Sequence, residues 1–362
     1  MITTDCLQVI CPHLDLNTIL ALLWSCTAIR SQIREIQPRI NDIVSFIWRR
    51  SSPKSLWKHI KLQHRTIQFP DCVSFVTSWS PSAAQLALAI HRIIYIWNDE
   101  KKQSPGTLSG HITSIRSLTY NSDGSLLASG SDDNTICIWS KSVLLSRLYG
   151  HTNTVWSLDW SPDSTRLVSC ADDGKLCLWD WRKQTILQHL KPRDMCSFLL
   201  VFSPDGVTVA FTASRTCYLW NTSTLELREI PRLPDMCHHL AFSPDNTRLA
   251  LAHYDGLIQI HDTQTLETVS SLRTNMFQRR FGSCLVAFSP DGSQLVSYYL
   301  NLIIWDVKTG TQIRCISQFR TERAYGIHWS QQHGINLVTC VEARTAKKEY
   351  SRKRHIRIVS TQ

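Results

Sequence analysis

His111, Ser129 and Asp133 form one set of residues whose types could do chemistry, and His151, Ser169 and Asp173 form a second. A histidine that takes a proton from a serine while a carboxylate orients its ring is the arrangement of a hydrolytic triad. Each member of the second set stands forty residues after its counterpart in the first. The constellation is therefore copied at the period of a repeat, whereas an active site is rarely copied unit by unit. Elsewhere the chain has no nucleophile elbow, phosphate-binding glycine loop or metal-spaced Cys/His cluster. No catalytic residue, cofactor or metal is expected, and the chain reads as a non-enzyme. The 13 cysteines stand singly, as Cys137 and Cys177 do in apolar segments, where core filling explains them. At about 4% of the chain they fall short of a disulfide scaffold. With no cationic and apolar leader at the N-terminus, a reducing compartment is expected, cytoplasmic with a nuclear option. Apolar runs such as residues 197–202 are too short to cross a bilayer, so no membrane partner is expected.

The elements that would position these sets also repeat. A phrase of aromatic residue, Ser, Pro and Asp recurs as Trp79-Ser80-Pro81, Trp160-Ser161-Pro162-Asp163, Phe202-Ser203-Pro204-Asp205-Gly206, Phe242-Ser243-Pro244-Asp245 and Phe288-Ser289-Pro290-Asp291-Gly292. Tyr120-Asn121-Ser122-Asp123-Gly124 and Trp329-Ser330 are weaker copies. The aromatic anchors at 79, 120, 160, 202, 242, 288 and 329 lie 41, 40, 42, 40, 46 and 41 residues apart. A second anchor follows each: Trp97, Trp139, Trp179, Trp220, His261 and Trp305, with Ile358 as a weak seventh. Between anchors, residues 126–129, 167–169 and 249–252 are short apolar runs after tight-turn signals, and residues 135–139 and 175–179 alternate as half-buried strands do. Four short strands every forty or so residues match one propeller blade.

Over residues 65–362 these features resemble the WD-repeat family. The second and third units are nearest, reading Gly110-His111, Asp132-Asp133-Asn134 and Ile138-Trp139, then Gly150-His151, Asp172-Asp173-Gly174 and Leu178-Trp179-Asp180. The resemblance implies an all-β, seven-bladed WD-repeat propeller. It also gives the His-Ser-Asp sets a structural role: with Trp139 or Trp179 they form a hydrogen-bonded stack that ties the loops of one blade together. In the family an N-terminal strand closes the ring, here residues 63–69 beside residues 355–360. The family's upper rim carries partners, and counting back from each anchor places Val73 and Phe75, Ser114 and Arg116, Thr154 and Trp156, Cys196 and Phe198, Met236 and His238, Gly282 and Cys284, and Arg323 and Tyr325 there. Loops within the blades add Tyr254 and Tyr298. Exposed Trp, Tyr and Arg in one patch are what a binding hot spot uses.

Residues 1–60 do not repeat and read as a small helical domain ahead of a propeller at 61–362. Leu7, Ile10 and Leu14 share one helical face, and Leu20 and Leu23 lie in a second apolar segment. The run from Cys6 through Pro12, Leu14, Leu20 and Leu23 to Cys26 and Arg30, with Leu56-Trp57 downstream, resembles an F-box. It departs from that motif at Ile2-Thr3, where Leu-Pro is usual, and at Pro12, which interrupts a helix at a cost of about 3 kcal/mol. An F-box implies docking on the Skp adaptor of a cullin ubiquitin ligase through Leu7, Ile10, Leu14, Leu20 and Leu23. The chain would then be the substrate-recognition subunit of an SCF-type ligase, holding a protein or phosphopeptide on its rim. The alternative is a WD-repeat scaffold for another complex, with the helical segment as a cap.

A formal net charge of +10 attracts acidic partners of any kind. Two basic stretches stand out. One is the extra length at residues 276–281, where Phe277 and Phe281 bracket Arg279 and Arg280; the other is Arg344, Lys347, Lys348, Arg352, Lys353 and Arg354. Either could meet an acidic or phosphorylated ligand, and either could be a solvated loop. Nucleic acid is the disfavoured partner, because charge alone suggests it and no recognised module accompanies it.

Overall fold

The computed structural model describes residues 62–361 apart from 69–74, 83, 99–104, 193–198, 231–232, 274–283, 300, 317–322, 331–333 and 343–353. The chain divides into two units, Met1–His59 and Ile60–Gln362, and all the described residues belong to the second. They form twenty-eight strands, β1–β28 in chain order, with no helix among the described residues. The expected F-box-like segment lies outside them.

The strands assemble into seven antiparallel sheets of four among the described residues. Blade two shows the plan: β6 (Ile115–Tyr120), β7 (Leu126–Ser131), β8 (Ile136–Ser140) and β9 (Val143–Leu148) pair in that order. Blade three repeats it with β10 (Val155–Trp160), β11 (Arg166–Ala171), β12 (Leu176–Asp180) and β13 (Thr185–Leu190). The first strands of the other blades are β2 (Phe75–Trp79), β14 (Leu200–Phe202), β18 (Cys237–Phe242), β22 (Leu285–Phe288) and β26 (Arg323–Ser330). Each first strand touches the next, β2 to β6, β10, β14, β18, β22 and β26, and β26 returns to β2. The sheets thus stand as blades around a closed ring. The last blade is completed by the first strand: β1 (Leu62–Gln68) pairs antiparallel with β28 (Arg354–Thr361), Gln63 opposite Ser360 and Gln68 opposite His355. That is the expected closure, and it leaves no blade short of a strand.

The recurring phrase makes the turn between the first and second strands of a blade. In blade three Ser161 Oγ donates to Asp163 at 2.5 Å and accepts from the Arg166 amide at 2.9 Å, while Asp163 accepts from the Thr165 amide at 3.0 Å. Ser243 and Asp245, and Ser289 and Asp291, repeat this at 2.5 Å. The residue after each aspartate has φ between 56° and 73°, at Gly124, Ser164, Gly206, Asn246 and Gly292. This left-handed geometry suits Gly and Asn.

The core lies between blades. Side chains from blades two and three share one apolar layer that includes Ile136, Ile138, Leu148, Val155, Leu158, Leu167 and Trp179. Similar layers join blades three to four, four to five, five to six and six to seven. The second strand of each of blades one to six is buried on both faces. Two expected rim residues are buried: Tyr298, 1% exposed, lies in such a strand, β23 (Gln294–Tyr299), and Cys284, immediately before β22, is 0% exposed. Six cysteines among the described residues are buried and free, with Cys315 exposed. Burial pushes the Cys137 thiol up to about 11 and Cys177 and Cys170 up to about 12, so they remain protonated apolar filler.

Each first strand has one backbone edge without a strand partner, and side chains of the preceding blade reach part of it. The Tyr120 amide donates to Ser78 Oγ at 3.2 Å, Leu158 to Ser117 Oγ at 3.1 Å and Phe202 to Asp159 Oδ2 at 2.7 Å. Burial raises the Asp159 carboxyl to about 6 despite these donors.

Candidate functional site

Chain direction defines two faces. Connections between blades and the turns between second and third strands share one face, here the upper; the aspartate turns and the turns between third and fourth strands share the lower. The two His-Ser-Asp sets sit on the upper face. Trp139 Nε1 donates to Ser129 Oγ at 2.8 Å, Ser129 Oγ lies 2.8 Å from His111 Nε2, and His111 Nδ1 lies 2.8 Å from Asp133 Oδ2. Blade three repeats these at 2.8, 2.7 and 3.0 Å through Trp179, Ser169, His151 and Asp173. One proton arrangement satisfies every atom: indole to serine, serine to Nε2, Nδ1–H to carboxylate. Burial lowers the pKa of both histidines, which outweighs the pull of their aspartates and keeps the rings neutral. Both aspartates fall below their ordinary value. Burial opposes ionisation, and local hydrogen bonds, the Thr135 hydroxyl on Asp133 and the Thr152 amide on Asp173, together with the histidines, overcome it.

These serines are not poised nucleophiles. Ser129 and Ser169 are 0% exposed, and each is already held by an indole N–H. Asp133 also takes the Ile112 amide and the Thr135 amide and hydroxyl, and Asp173 the Thr152 and Lys175 amides. The network therefore binds the connection before a blade to a turn within it, and a satisfied buried network of this kind stiffens what it joins. The Gly-His pair follows: a Cβ on Gly110 would lie 2.8 Å from the Trp139 ring, and one on Gly150 2.9 Å from that of Trp179. Blade six keeps half the device, Trp305 Nε1 to Ser297 Oγ at 2.8 Å. Where Leu88, Phe211 and Leu251 stand in the serine place, Trp97 Nε1, Trp220 Nε1 and His261 Nε2 have no hydrogen-bond partner.

On the rim itself, Arg116 is already engaged. Its Nε and Nη2 grip Asp132 at 2.7 and 2.6 Å, and its guanidinium lies 5.2 Å from the centre of the half-buried Trp156 ring. The hydrogen bonds to Asp132 raise its pKa. The Nε/Nη2 edge of Arg116 is therefore paired within the chain while its side chain stays 36% exposed, so a phosphorylated ligand there would displace Asp132 or use the Nη1 side. Asp132, the residue immediately after the second strand, was the one that spacing from the anchors passed over.

Blades four and five hold the open part. Leu199, Thr212, Ser214, Met236, Cys237, His238 and Tyr254 line a cavity of about 160 Å³. Met236 and Tyr254 are exposed, 40% and 41%. His238 meets Tyr254 edge-on at 5.0 Å and places Nδ1 3.2 Å from the Cys284 carbonyl. Burial lowers the pKa of His238, so the ring is neutral and Nδ1 is the donor. Arg215 and Asp235 pair at 3.7 Å beside it. The cavity thus presents aromatic, thioether and hydroxyl surface with no free cation among its lining residues.

The other expected rim residues divide. Tyr325 is half-buried in β26, and its carbonyl accepts from Thr77 Oγ1 at 3.3 Å. Phe75 opens β2 and Arg323 opens β26. Phe198, the stretch at 276–281, the basic residues 344–353 and the adaptor candidates Leu7, Ile10, Leu14, Leu20 and Leu23 lie outside the described residues. Among the described residues no group of three or more His, Cys, Asp or Glu could hold a metal ion, and no helix is long and apolar enough to cross a membrane.

Comparison with known proteins agrees with this architecture. The family model for the WD domain, G-beta repeat, matches residues 102–140 and 142–180, each running from the outermost strand of one blade through the third strand of the next, blade two and then blade three. Apoptotic protease-activating factor 1 of Danio rerio is 38% identical over 60 residues, 16% of this chain and 5% of that protein. Periodic tryptophan protein 2 of Arabidopsis thaliana is 28% identical over 209 residues, covering 56% of this chain and 23% of the relative. Protein ROOT INITIATION DEFECTIVE 3 of Arabidopsis thaliana is 25% identical over 247 residues, 64% of this chain and 47% of its own length. The chain therefore spans less than half of each of these relatives. WD repeats imply a protein-interaction scaffold and are generally non-enzymatic. The His-Ser-Asp sets that look like chemistry are the struts of two WD-domain, G-beta repeats, and the described chain is built of WD-repeat-like blades.

Proposed function

We propose that this chain is a partner-holding scaffold whose working surface is the upper face at blades four and five. The cavity under Met236, His238 and Tyr254 carries the reading. It joins exposed aromatic and thioether surface to half-buried polar groups on rigid strands, the composition of an interface anchor pocket. Its ligand is a protein segment that inserts an apolar or aromatic side chain, because the lining holds aromatic and thioether surface, a neutral His238 and no Lys or Arg. The test is affinity capture by wild type, Tyr254→Ala/Met236→Ala and Arg116→Ala. A partner lost from the double variant alone supports the reading; one lost only from Arg116→Ala moves the working face to blades two and three.

The finer reading is a substrate receptor of an SCF-type ubiquitin ligase, with the propeller presenting its captured segment. It rests on the F-box resemblance of residues 6–30, with Leu56-Trp57 downstream. Tethering would act by raising the effective concentration of a substrate lysine near a conjugating enzyme. Co-purification with the Skp adaptor, lost on Ile10→Asp/Leu14→Asp, is the outcome it requires. Without adaptor binding the chain is a scaffold of another assembly.

A further inference from the structure

The outermost strands of blades two and three expose apolar side chains in succession. On β9, Val143 is 60% exposed, Leu144 37% and Leu145 48%; on β13, Ile186 is 39% and Leu187 48% exposed. Tyr149, 69% exposed, continues from β9. The connection at Gly150 then runs against β13, since a Cβ there would lie 2.9 Å from Ile186 Cδ1. The two strands and the connection thus share one apolar wall.

Two further features say what the wall is built to meet. The first is the pair of bulges. Trp139 is opposite Leu144 while Ile138 is opposite Ser146, so Leu145 is an extra, unpaired residue. Trp179 is opposite Ile186 while Leu178 is opposite Gln188, which makes Leu187 the same. A bulge interrupts the edge ladder and discourages strand addition, so an occupant must be held by side chains. A helix satisfies its own backbone and can offer a row of apolar residues. The second feature is charge. Residues 141–149 and 182–191 carry Lys141, Arg147, Arg182, Lys183, His189 and Lys191 and no Asp or Glu. Arg147 is spent on the Gly110 carbonyl at 2.6 Å, and Lys183 reaches Asp180 at 3.5 Å with 77% of its side chain still exposed. The matching strands of blades four and five expose Leu225, Leu227 and Val269 as well, but among Glu226, Glu229, Asp262 and Glu267. Among these four blades, only two and three combine exposed apolar residues with an acid-free, basic border.

We propose that the outer wall of blades two and three is a second docking surface, one that takes an acidic amphipathic helix of a partner protein. Leu145, Leu187 and their neighbours would cover its apolar face, and Lys141 and Lys183 on the lower turns would meet its carboxylates. An anionic membrane has compatible charge, but the apolar residues lie along strands and not at projecting loop tips. The proposal is independent of the cavity on blades four and five, and its failure leaves that reading in place.

The test is fluorescence anisotropy on the full chain with a labelled amphipathic helical peptide, Leu on one face and Glu on the other. A peptide with Lys in place of Glu is the control. Wild type should prefer the acidic peptide. Leu145→Asp/Leu187→Asp should weaken that binding about tenfold or more, because two apolar side chains no longer cover the helix and two carboxylates face its glutamates. Lys141→Glu/Lys183→Glu should reverse the preference. All four positions are exposed, so unchanged far-UV dichroism and thermal midpoint establish that the variants fold. Equal binding of both peptides, or unchanged acidic-peptide affinity in the leucine variant, overturns the proposal. So does wall-dependent binding to phosphatidylserine vesicles without peptide binding, which assigns the wall to a membrane. A wild-type dimer by light scattering that the leucine variant dissolves, again without peptide binding, assigns it to a second copy.

Discussion

A serine that closes a hydrogen-bond relay and a serine that merely ends one should differ in what they contribute. Ser169 joins Trp179 to His151, so Ser169→Ala strands two buried groups, whereas Ser297 holds Trp305 in a blade with no His-Asp pair. Each stranded group costs about 1–3 kcal/mol. Urea unfolding should therefore show a larger loss for Ser169→Ala than for Ser297→Ala, and equal losses would contradict the relay. Gly150→Ala tests the same blade from another side. Its φ is 155° and a methyl would press on the Trp179 ring at 2.9 Å, so about 1–3 kcal/mol should be lost by overpacking. The sequence showed these residues clearly, because a glycine, histidine, serine, aspartate and tryptophan recur together at one period. It hid the fate of Arg116. Its partner Asp132 is sixteen residues away, and only strand register brings the two side chains together.

At the scale of strands, the aromatic-Ser-Pro-Asp phrase was legible because the same left-handed turn recurs in blades two to six and the same serine-aspartate clasp in blades three to six. The second strands were harder to read. They are buried on both faces, so alternation fails and Tyr298 passes for a rim residue while lying in the core. Ring closure was readable from the family resemblance and depends on backbone pairing of β1 with β28. This gives a deletion test. Removing residues 1–61 spares that pairing, while removing residues 1–68 strips β28 of its outer partner and exposes its edge. Thermal unfolding should stay a single transition in the first variant. In the second it should shift down by several degrees and broaden, with earlier proteolysis between β26 and β28. Matching melts for the two deletions would mean that closure contributes little.

The whole molecule buries a large set of histidines, and their shared direction sets its response to pH. Burial lowers the pKa of His111, His151, His238, His253, His261 and His328, and brings His239 down to about 4. A histidine with a lowered pKa holds fewer protons folded than unfolded. Below the ordinary value of about 6.5 the unfolded chain takes up protons that the folded chain refuses, and stability falls as pH falls. Asp133 and Asp173 lie below the ordinary carboxylate value and add nothing in this window. Asp159 works the other way. Burial raises it to about 6, so the folded chain keeps a proton that the unfolded carboxyl has lost, and stability rises as pH falls through that value. Between about pH 7 and about pH 5 the thermal midpoint should therefore decline, by the histidine sum less the Asp159 contribution. Asp159→Asn removes only the opposing part and keeps an oxygen to accept the Phe202 amide. Its midpoint should fall more steeply with acid than that of wild type, and an equal fall would show that Asp159 stays ionised within the ring over this range.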